Sequence, residues 1–254
     1  MGLRDLFELK GRIALVTGGA RGIGKACACA LAEMGANVAL LDILEESLPE
    51  AVGDIEALGV RAIPCLCDVT AEAEVQAACR ATVEAFGRLD ILVNSAGVCR
   101  WAKGEEMTEE QWDWVVDIDL KGTFLCCREA AKLMIPQGSG AIVNIASMSG
   151  QVANVPQCQA AYNAAKAGVI QLTRSLAVEW APHNIRVNAI SPGYTATEMT
   201  MTVPEYHAGW EALIPMRRMA RTDELLGALI YLASDASTYT TGHDLVVDGA
   251  YTCV

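Results

Sequence analysis

Short apolar runs rich in β-branched residues recur along the chain. Each stops abruptly at a glycine, an acid, an amide or a serine, and a longer stretch of helical period follows. Ile13-Ala14-Leu15-Val16 stops at Thr17-Gly18-Gly19-Ala20-Arg21-Gly22-Ile23-Gly24; an Ala- and Leu-rich helical pattern runs to about Met34, and Val38-Ala39-Leu40-Leu41 ends in Asp42. The alternation then predicts a helix over 45–58, a strand over 61–67 ending in Asp68-Val69-Thr70, a helix over 71–86, and a strand over 91–94 leading to Ser95-Ala96-Gly97. A long helix over 108–135 precedes a strand over 141–145, which Ala146-Ser147-Met148-Ser149-Gly150 closes. A helix carrying Tyr162 runs to about 181, and a strand over 185–190 ends in Ser191-Pro192-Gly193. A loop over 194–216, a helix over 222–233 and a strand over 245–247 complete the pattern. Seven apolar strands separated by helices predict an α/β fold, a doubly wound parallel sheet flanked by helices. In such sheets the ligand crevice lies beyond the carboxyl ends of the strands. Asp42, Asp68, Asn94, Ser147 and Pro192 all stand there.

The first unit is the most specific. Glycines in the turn after the first strand let backbone amides approach a pyrophosphate, and the following helix N-terminus favours the anion. Asp42, ending the second strand, can accept hydrogen bonds from a ribose 2′-hydroxyl and would repel a 2′-phosphate. A dinucleotide site is expected.

Tyr162-Asn163-Ala164-Ala165-Lys166 adds chemistry. Residues four apart on a helix share a face, so the Lys166 ammonium favours the Tyr162 phenolate and is expected to lower its pKa. Lowering a phenol from about 10 by about 3 units takes ~4 kcal/mol of preferential interaction with the phenolate. The ammonium and an oxidised nicotinamide ring together are candidates to supply it.

Composition narrows the field. The chain has 254 residues, 52% of them hydrophobic, which suits one large domain spanning 1–254. Within it, a cofactor half is expected over about 1–150 and a catalytic and substrate half over about 141–254. No run reaches the ~18 apolar residues of a membrane helix. Met1–Leu6 lacks a signal-peptide core and Leu6 breaks the myristoylation pattern, so a soluble cytoplasmic chain is expected. A net charge of −12 disfavours nucleic acid and anionic membranes as partners, and weakly disfavours an acidic carrier protein. The ten cysteines form no CxxC, and His183, His207 and His243 are scattered, so neither a metal site nor a disulfide framework is expected.

TGGARGIG at 17–24, NSAG at 94–97, Ser147, YxxxK at 162–166 and PG at 192–193 together resemble the short-chain dehydrogenase/reductase family, over nearly the whole chain. The resemblance implies a Rossmann-type subunit that carries its own substrate site, usually in a homotetramer. It implies that Tyr162 is the general acid/base, that Lys166 lowers its pKa and holds the nicotinamide ribose, and that Ser147 hydrogen-bonds the substrate oxygen. Ser149 is the rival serine; Ser147 is preferred because it stands three before Gly150. Gly18, Arg21, Gly22, Ile23, Gly24, Ala96, Gly97, Pro192 and Gly193 are implied cofactor contacts. Thr197 resembles a carboxamide-binding threonine, Thr195 is a backbone-contact candidate, and Asp68 and Val69 resemble the pair bordering the adenine. Asn94 is either a cofactor contact or a structural tie between strand ends.

Two departures stand out. NSAG replaces the commoner NNAG. Asp119, in Asp117-Ile118-Asp119-Leu120-Lys121-Gly122, stands where the family usually has an asparagine, the fourth active-site residue, which helps to hold a proton-relay water. An ionised carboxylate accepts hydrogen bonds but cannot donate them, so Asp119 is either a fourth catalytic residue with an altered role or a tolerated helix residue. Cofactor signals also conflict. Arg21 occupies a position that is often basic in NADP-preferring relatives, whereas Asp42 would repel a 2′-phosphate. Asp42 decides the expectation for NAD over NADP.

The segments 119–122, Asn154-Val155-Pro156-Gln157, Glu179-Trp180-Ala181 and Tyr239-Thr240-Thr241-Gly242 resemble the polyol dehydrogenase and ketose reductase branch. Those relatives interconvert sugar alcohols such as mannitol, arabinitol, galactitol or sorbitol with ketoses. Asn154 is a candidate polyol contact, or a loop residue bonding its own backbone. The alternatives are a 3-oxoacyl-carrier-protein reductase, a broad secondary-alcohol or ketone reductase, and a catalytically inert NAD-binding sensor.

Overall fold

The computed structural model describes residues 2–254; Met1, the first residue of the segment read above for a leader, lies outside it. The strands are β1 (Ile13–Thr17), β2 (Asn37–Asp42), β3 (Ala62–Leu66), β4 (Ile91–Asn94), β5 (Gly140–Ile145), β6 (Ile185–Pro192) and β7 (Asp244–Val247). All neighbouring pairs are parallel, in the order β3-β2-β1-β4-β5-β6-β7. The order reverses between β1 and β4, and a crevice opens at such a switch point.

Strand periodicity sorts the core into two faces. Ala14, Val16, Val38, Leu40, Val93 and Val143 pack under α1 (Gly22–Glu33), α2 (Leu48–Glu56) and α9 (Leu226–Ala233). Leu15, Ala39, Leu41, Leu92, Ile142 and Val187 pack under α3 (Glu72–Phe86), α5 (Thr123–Gln137) and α6 (Ala160–Trp180). Cys27 belongs to the first core, and Cys65, Cys67, Cys79, Cys126 and Cys127 to the second, where they serve as small hydrophobes. All ten cysteines are free thiols.

Two segments differ from the periodic reading. The helix over 108–135 is three pieces: α4 (Glu109–Val116), a π turn (Asp117–Gly122), and α5. Apolar spacing runs through the π turn, so the pattern does not reveal it. The segment 194–216 is not a plain loop. It holds α7 (Glu198–Met201), a 3-10 turn (Pro204–Tyr206) and α8 (His207–Leu213), anchored by the fully buried Trp210. Among the described residues, no helix is long and apolar enough to cross a membrane.

Candidate active site

The β1–α1 turn is shaped by close approach. Gly18 has φ +64°, and a Cβ there would sit 2.9 Å from the backbone N and Cα of Ala96; a Cβ at Gly24 would collide with the Gly18 carbonyl. Gly22 also has positive φ. The Arg21 side chain caps nothing, so the first amides of α1 remain available to an anion. Asp42 is buried at the end of β2, its Oδ2 accepting from Ala20 N at 3.0 Å and its Oδ1 from Leu44 N at 3.1 Å. A carboxylate has about four lone-pair sites, so each oxygen retains capacity for a ribose diol. Arg21 is exposed at the rim.

A cavity of about 850 Å³ runs from this turn past Asp68, Val69, Ala96 and Gly97 to Ser147, Tyr162 and Lys166. Pro192, Gly193, Thr195 and Thr197 also border it. Glycines that admit no Cβ, uncapped helix amides and an acid at the second strand end fit a nicotinamide dinucleotide along this path.

Asn94 stands apart from the cavity wall. It is buried, and its Nδ2 donates to Asn144 Oδ1 at 2.8 Å, while Asn144 Nδ2 donates to Thr173 Oγ1 at 2.9 Å. This chain ties β4 and β5 to α6, which is the structural alternative read from sequence.

Close packing aligns the reactive end. A Cβ at Gly150 would lie 2.7 Å from the Lys166 carbonyl carbon, and one at Gly168 would lie 2.8 Å from Leu120 Cδ2, so α6 is pressed against both the Ser147 turn and the π turn. Lys166 Nζ donates to Ile145 O at 3.0 Å, lies 3.1 Å from Asp119 Oδ2, and is 5.6 Å from the Tyr162 ring centroid. Asp119 is fully buried, and its Oδ1 accepts from Val98 N at 2.8 Å. Ser147 Oγ accepts from Ser149 N at 3.1 Å, which leaves its O–H free to donate to an oxygen beside Tyr162.

The electrostatics separate the pull of Lys166 from the net direction. Burial pushes the Tyr162 phenol above its ordinary value; Lys166 pulls it down, but Asp119 works with burial, and the net direction is upward. Burial pulls the Lys166 ammonium down, yet Asp119 and Tyr162 outweigh it and hold Lys166 above the ordinary lysine value. Burial likewise raises Asp119 against the pull of Lys166 and the Val98 amide. In the protein alone, Lys166 does not bring the phenol below 10.

The far wall holds polar groups that single-residue motifs do not mark. Tyr194 OH accepts from Gln157 Nε2 at 2.8 Å and Asn154 Nδ2 at 3.2 Å; Trp210 Nε1 donates to Gln157 Oε1 at 3.1 Å; Gln159 Nε2 bonds Asn154 Oδ1 at 3.0 Å. Asn154, Gln157, Gln159 and Tyr194 all line the cavity. Of these, only Asn154 was a candidate from sequence; the polar cluster over 154–159, just before the Tyr162 helix, is the signal that could have found the glutamines. Trp210 stacks on Tyr194 at 4.4 Å and meets Trp101 edge-on. Among the described residues, no group of three or more His, Cys, Asp or Glu is placed to hold a metal ion.

Comparison with known proteins agrees with this geometry. The family model described as enoyl-(acyl carrier protein) reductase matches residues 18–252. The chain is 44% identical to a Yarrowia lipolytica protein named "Probable NADP-dependent mannitol dehydrogenase", over 99% of this chain and 91% of that one. It is 43% identical to a sorbose reductase of Candida albicans, over 98% of this chain and 90% of that one. A crystal structure of a short-chain type dehydrogenase/reductase from Mycobacterium marinum superposes with a TM-score of 0.98 at 43% identity, covering 100% of both chains.

Proposed function

The chain belongs to the short-chain dehydrogenase/reductase family, and on that premise we propose that it transfers a hydride between NAD(H) and a polyol, interconverting a sugar alcohol with its ketose. The observation that carries this reading is the polar wall of Asn154, Gln157, Gln159 and Tyr194 in the cavity that holds Ser147 and Tyr162. These groups already bond one another, so the wall is polar without a ligand, and an alkyl ketone could use none of the hydrogen-bonding capacity that the wall has to spare, such as the Tyr194 O–H. A chain of hydroxyls, which both donate and accept, matches that spare capacity. Both relatives described above are named for sugar alcohols or ketoses.

A nicotinamide held in this cavity would supply the hydride acceptor for alcohol oxidation and the hydride donor for ketose reduction. During oxidation, the Tyr162 phenolate takes the proton from the substrate hydroxyl; during reduction, the phenol returns it. Ser147 Oγ–H donates to the same oxygen and steadies the charge developing there. Lys166, held by Ile145 O, presents its ammonium to Tyr162 and would hold the ribose of a bound nicotinamide.

NAD is proposed over NADP because the Asp42 carboxylate is fixed by two backbone amides at the β2 end, where it would meet a 2′-phosphate with like charge. This departs from the NADP dependence in the Yarrowia relative's name and rests on Asp42. Trp112 and Phe124 on α4 and α5 and Val178 on α6 are exposed, which supports assembly as a homotetramer. The matched model's description points to acyl-carrier substrates, but a net charge of −12 opposes docking of an acidic carrier.

The test is initial-rate measurement over a panel of polyols and ketoses with both cofactors. Polyol turnover with NAD that disappears in Tyr162→Phe is the expected result. Dinucleotide binding without turnover of any alcohol would instead identify a sensor.

A further inference from the structure

Asp119 sits in an arrangement that the reaction described so far does not use. The π turn over Asp117–Gly122 places one residue more than an α turn would, and such turns recur at functional sites because they redirect a side chain. Here the redirected side chain is a fully buried carboxylate. Its Oδ1 is satisfied by Val98 N, whereas its Oδ2 faces Lys166 Nζ at 3.1 Å, off the hydrogen-bond axis, and has no other partner. Among the described residues, it is the one buried side-chain oxygen without a hydrogen bond that belongs to the cavity wall. Space is reserved for the pair: a Cβ on Gly97 would stand 3.2 Å from Asp119 Oδ2 and 3.3 Å from Lys166 Nζ.

The charged and titratable groups around Tyr162 are few. Lys166 shares its helix, Asp119 comes from the π turn, Cys99 from the segment after β4, and the Ser147 hydroxyl from the end of β5. Burial pushes the Cys99 thiol up to about 12, so it stays neutral. Asp117 and Arg100 also border the cavity, but Asp117 pairs with Lys121 and Arg100 is exposed over Trp114. The cation nearest the phenol therefore has one buried counter-charge, Asp119.

We propose that Asp119 is a positioning residue for hydride transfer: its carboxylate, 3.1 Å from Lys166 Nζ, clamps the ammonium against Ile145 O and offsets the positive charge that Lys166 presents to Tyr162. The inference rests on the dehydrogenase reading above. Its functional meaning is a bias. Alcohol oxidation needs the phenolate and gains as pH rises, while ketose reduction needs the phenol and persists into the alkaline range.

The experiment compares wild type, Asp119→Asn and Asp119→Glu in two readouts. The first is the pH profile of kcat/KM for alcohol oxidation. The second needs no turnover: a difference titration of the phenolate absorbance against Tyr162→Phe. Asp119→Asn is expected to move both midpoints down by about 1 unit, since a nearby charge shifts a titration by about 1–3 units. Oxidation well below the midpoint should then be faster by up to about tenfold, with the KM for NAD little changed. Asp119→Glu keeps the charge and should keep the wild-type midpoint. An Asn variant whose midpoints stay in place, whatever its stability, overturns the proposal. If the Asn variant does not fold, Glu decides: a midpoint that moves to lower pH overturns it and one that stays supports it. If no alcohol turns over, the functional reading fails, and the absorbance titration still judges Asp119.

Discussion

Replacing Lys166 with methionine keeps the volume of the side chain and removes its charge. The ammonium is buried, as is its partner Asp119. After the substitution, the carboxylate retains only the Val98 amide at 2.8 Å. Breaking a buried ion pair by removing one partner costs about 3–5 kcal/mol, because the remaining charge is uncompensated. In a chain of this size, each kcal/mol moves the melting temperature by about 2–4 °C, so a drop of about 6–20 °C is expected near pH 8. The loss must depend on pH. Burial already holds Asp119 above the ordinary carboxylate value, and without Lys166 it rises further. A carboxyl whose folded pKa exceeds its unfolded value of about 3.9 destabilises the fold above that unfolded value, and the penalty grows as pH climbs to the folded pKa. Thermal unfolding followed by circular dichroism at pH 5 and pH 8 should therefore show the larger deficit at pH 8. The double variant Lys166→Met with Asp119→Asn, now a neutral pair, should recover most of the stability and none of the turnover. A deficit that is flat with pH, or a double variant no more stable than Lys166→Met, would refute the reasoning, since the two side chains would then not be energetically coupled.

Asp42→Ala should relax the preference for NAD, measured as the ratio of kcat/KM values for the two cofactors; an unchanged ratio would mean that the carboxylate does not face the ribose. Gly24→Ala should weaken dinucleotide binding by at least about tenfold (~1.4 kcal/mol) in a calorimetric titration, because its Cβ collides with the Gly18 carbonyl; wild-type affinity would place the pyrophosphate elsewhere. Gln157→Leu leaves Trp210 Nε1 without its acceptor and takes one donor from Tyr194 OH. A loss of about 1–3 kcal/mol should appear as a raised KM for the polyol with little change in the KM for NAD; equal effects on both would detach Gln157 from the substrate end.

What sequence reading captured was local. The strand runs, the Gly-rich turn and the acid at the β2 end lie within a few residues of one another, and a parallel sheet brings its carboxyl ends together whatever the loops do. Tyr162 and Lys166 were legible because helical spacing alone makes them neighbours. The rest depended on contacts distant along the chain. Asp119 reads as one more position in a periodic helix until the π turn and Gly97 bring it against Lys166; burial, which no motif shows, sets the upward direction of the Tyr162 ionisation, and Asp119 adds to it. Asn94 stands beside a cofactor-like motif, yet its amide turns inward because Asn144 lies opposite it in the β4–β5 register. Tyr194 directly follows Pro192-Gly193 but joins the polar wall through Asn154 and Gln157 and through Trp210, which arrives from α8.

The Asn94–Asn144–Thr173 chain and the Trp210–Tyr194 stack make the two sides of the cleft mechanically unlike. The floor's directional bonds join strands and a long helix of the sheet core, whereas the roof's, Asn154 and Gln157 to Tyr194 and Trp210 to Gln157, join loops and the short α8. Traffic of polyol and ketose through such a cleft would work the roof alone, leaving the bed on which the dinucleotide lies already in its working shape from one turnover to the next.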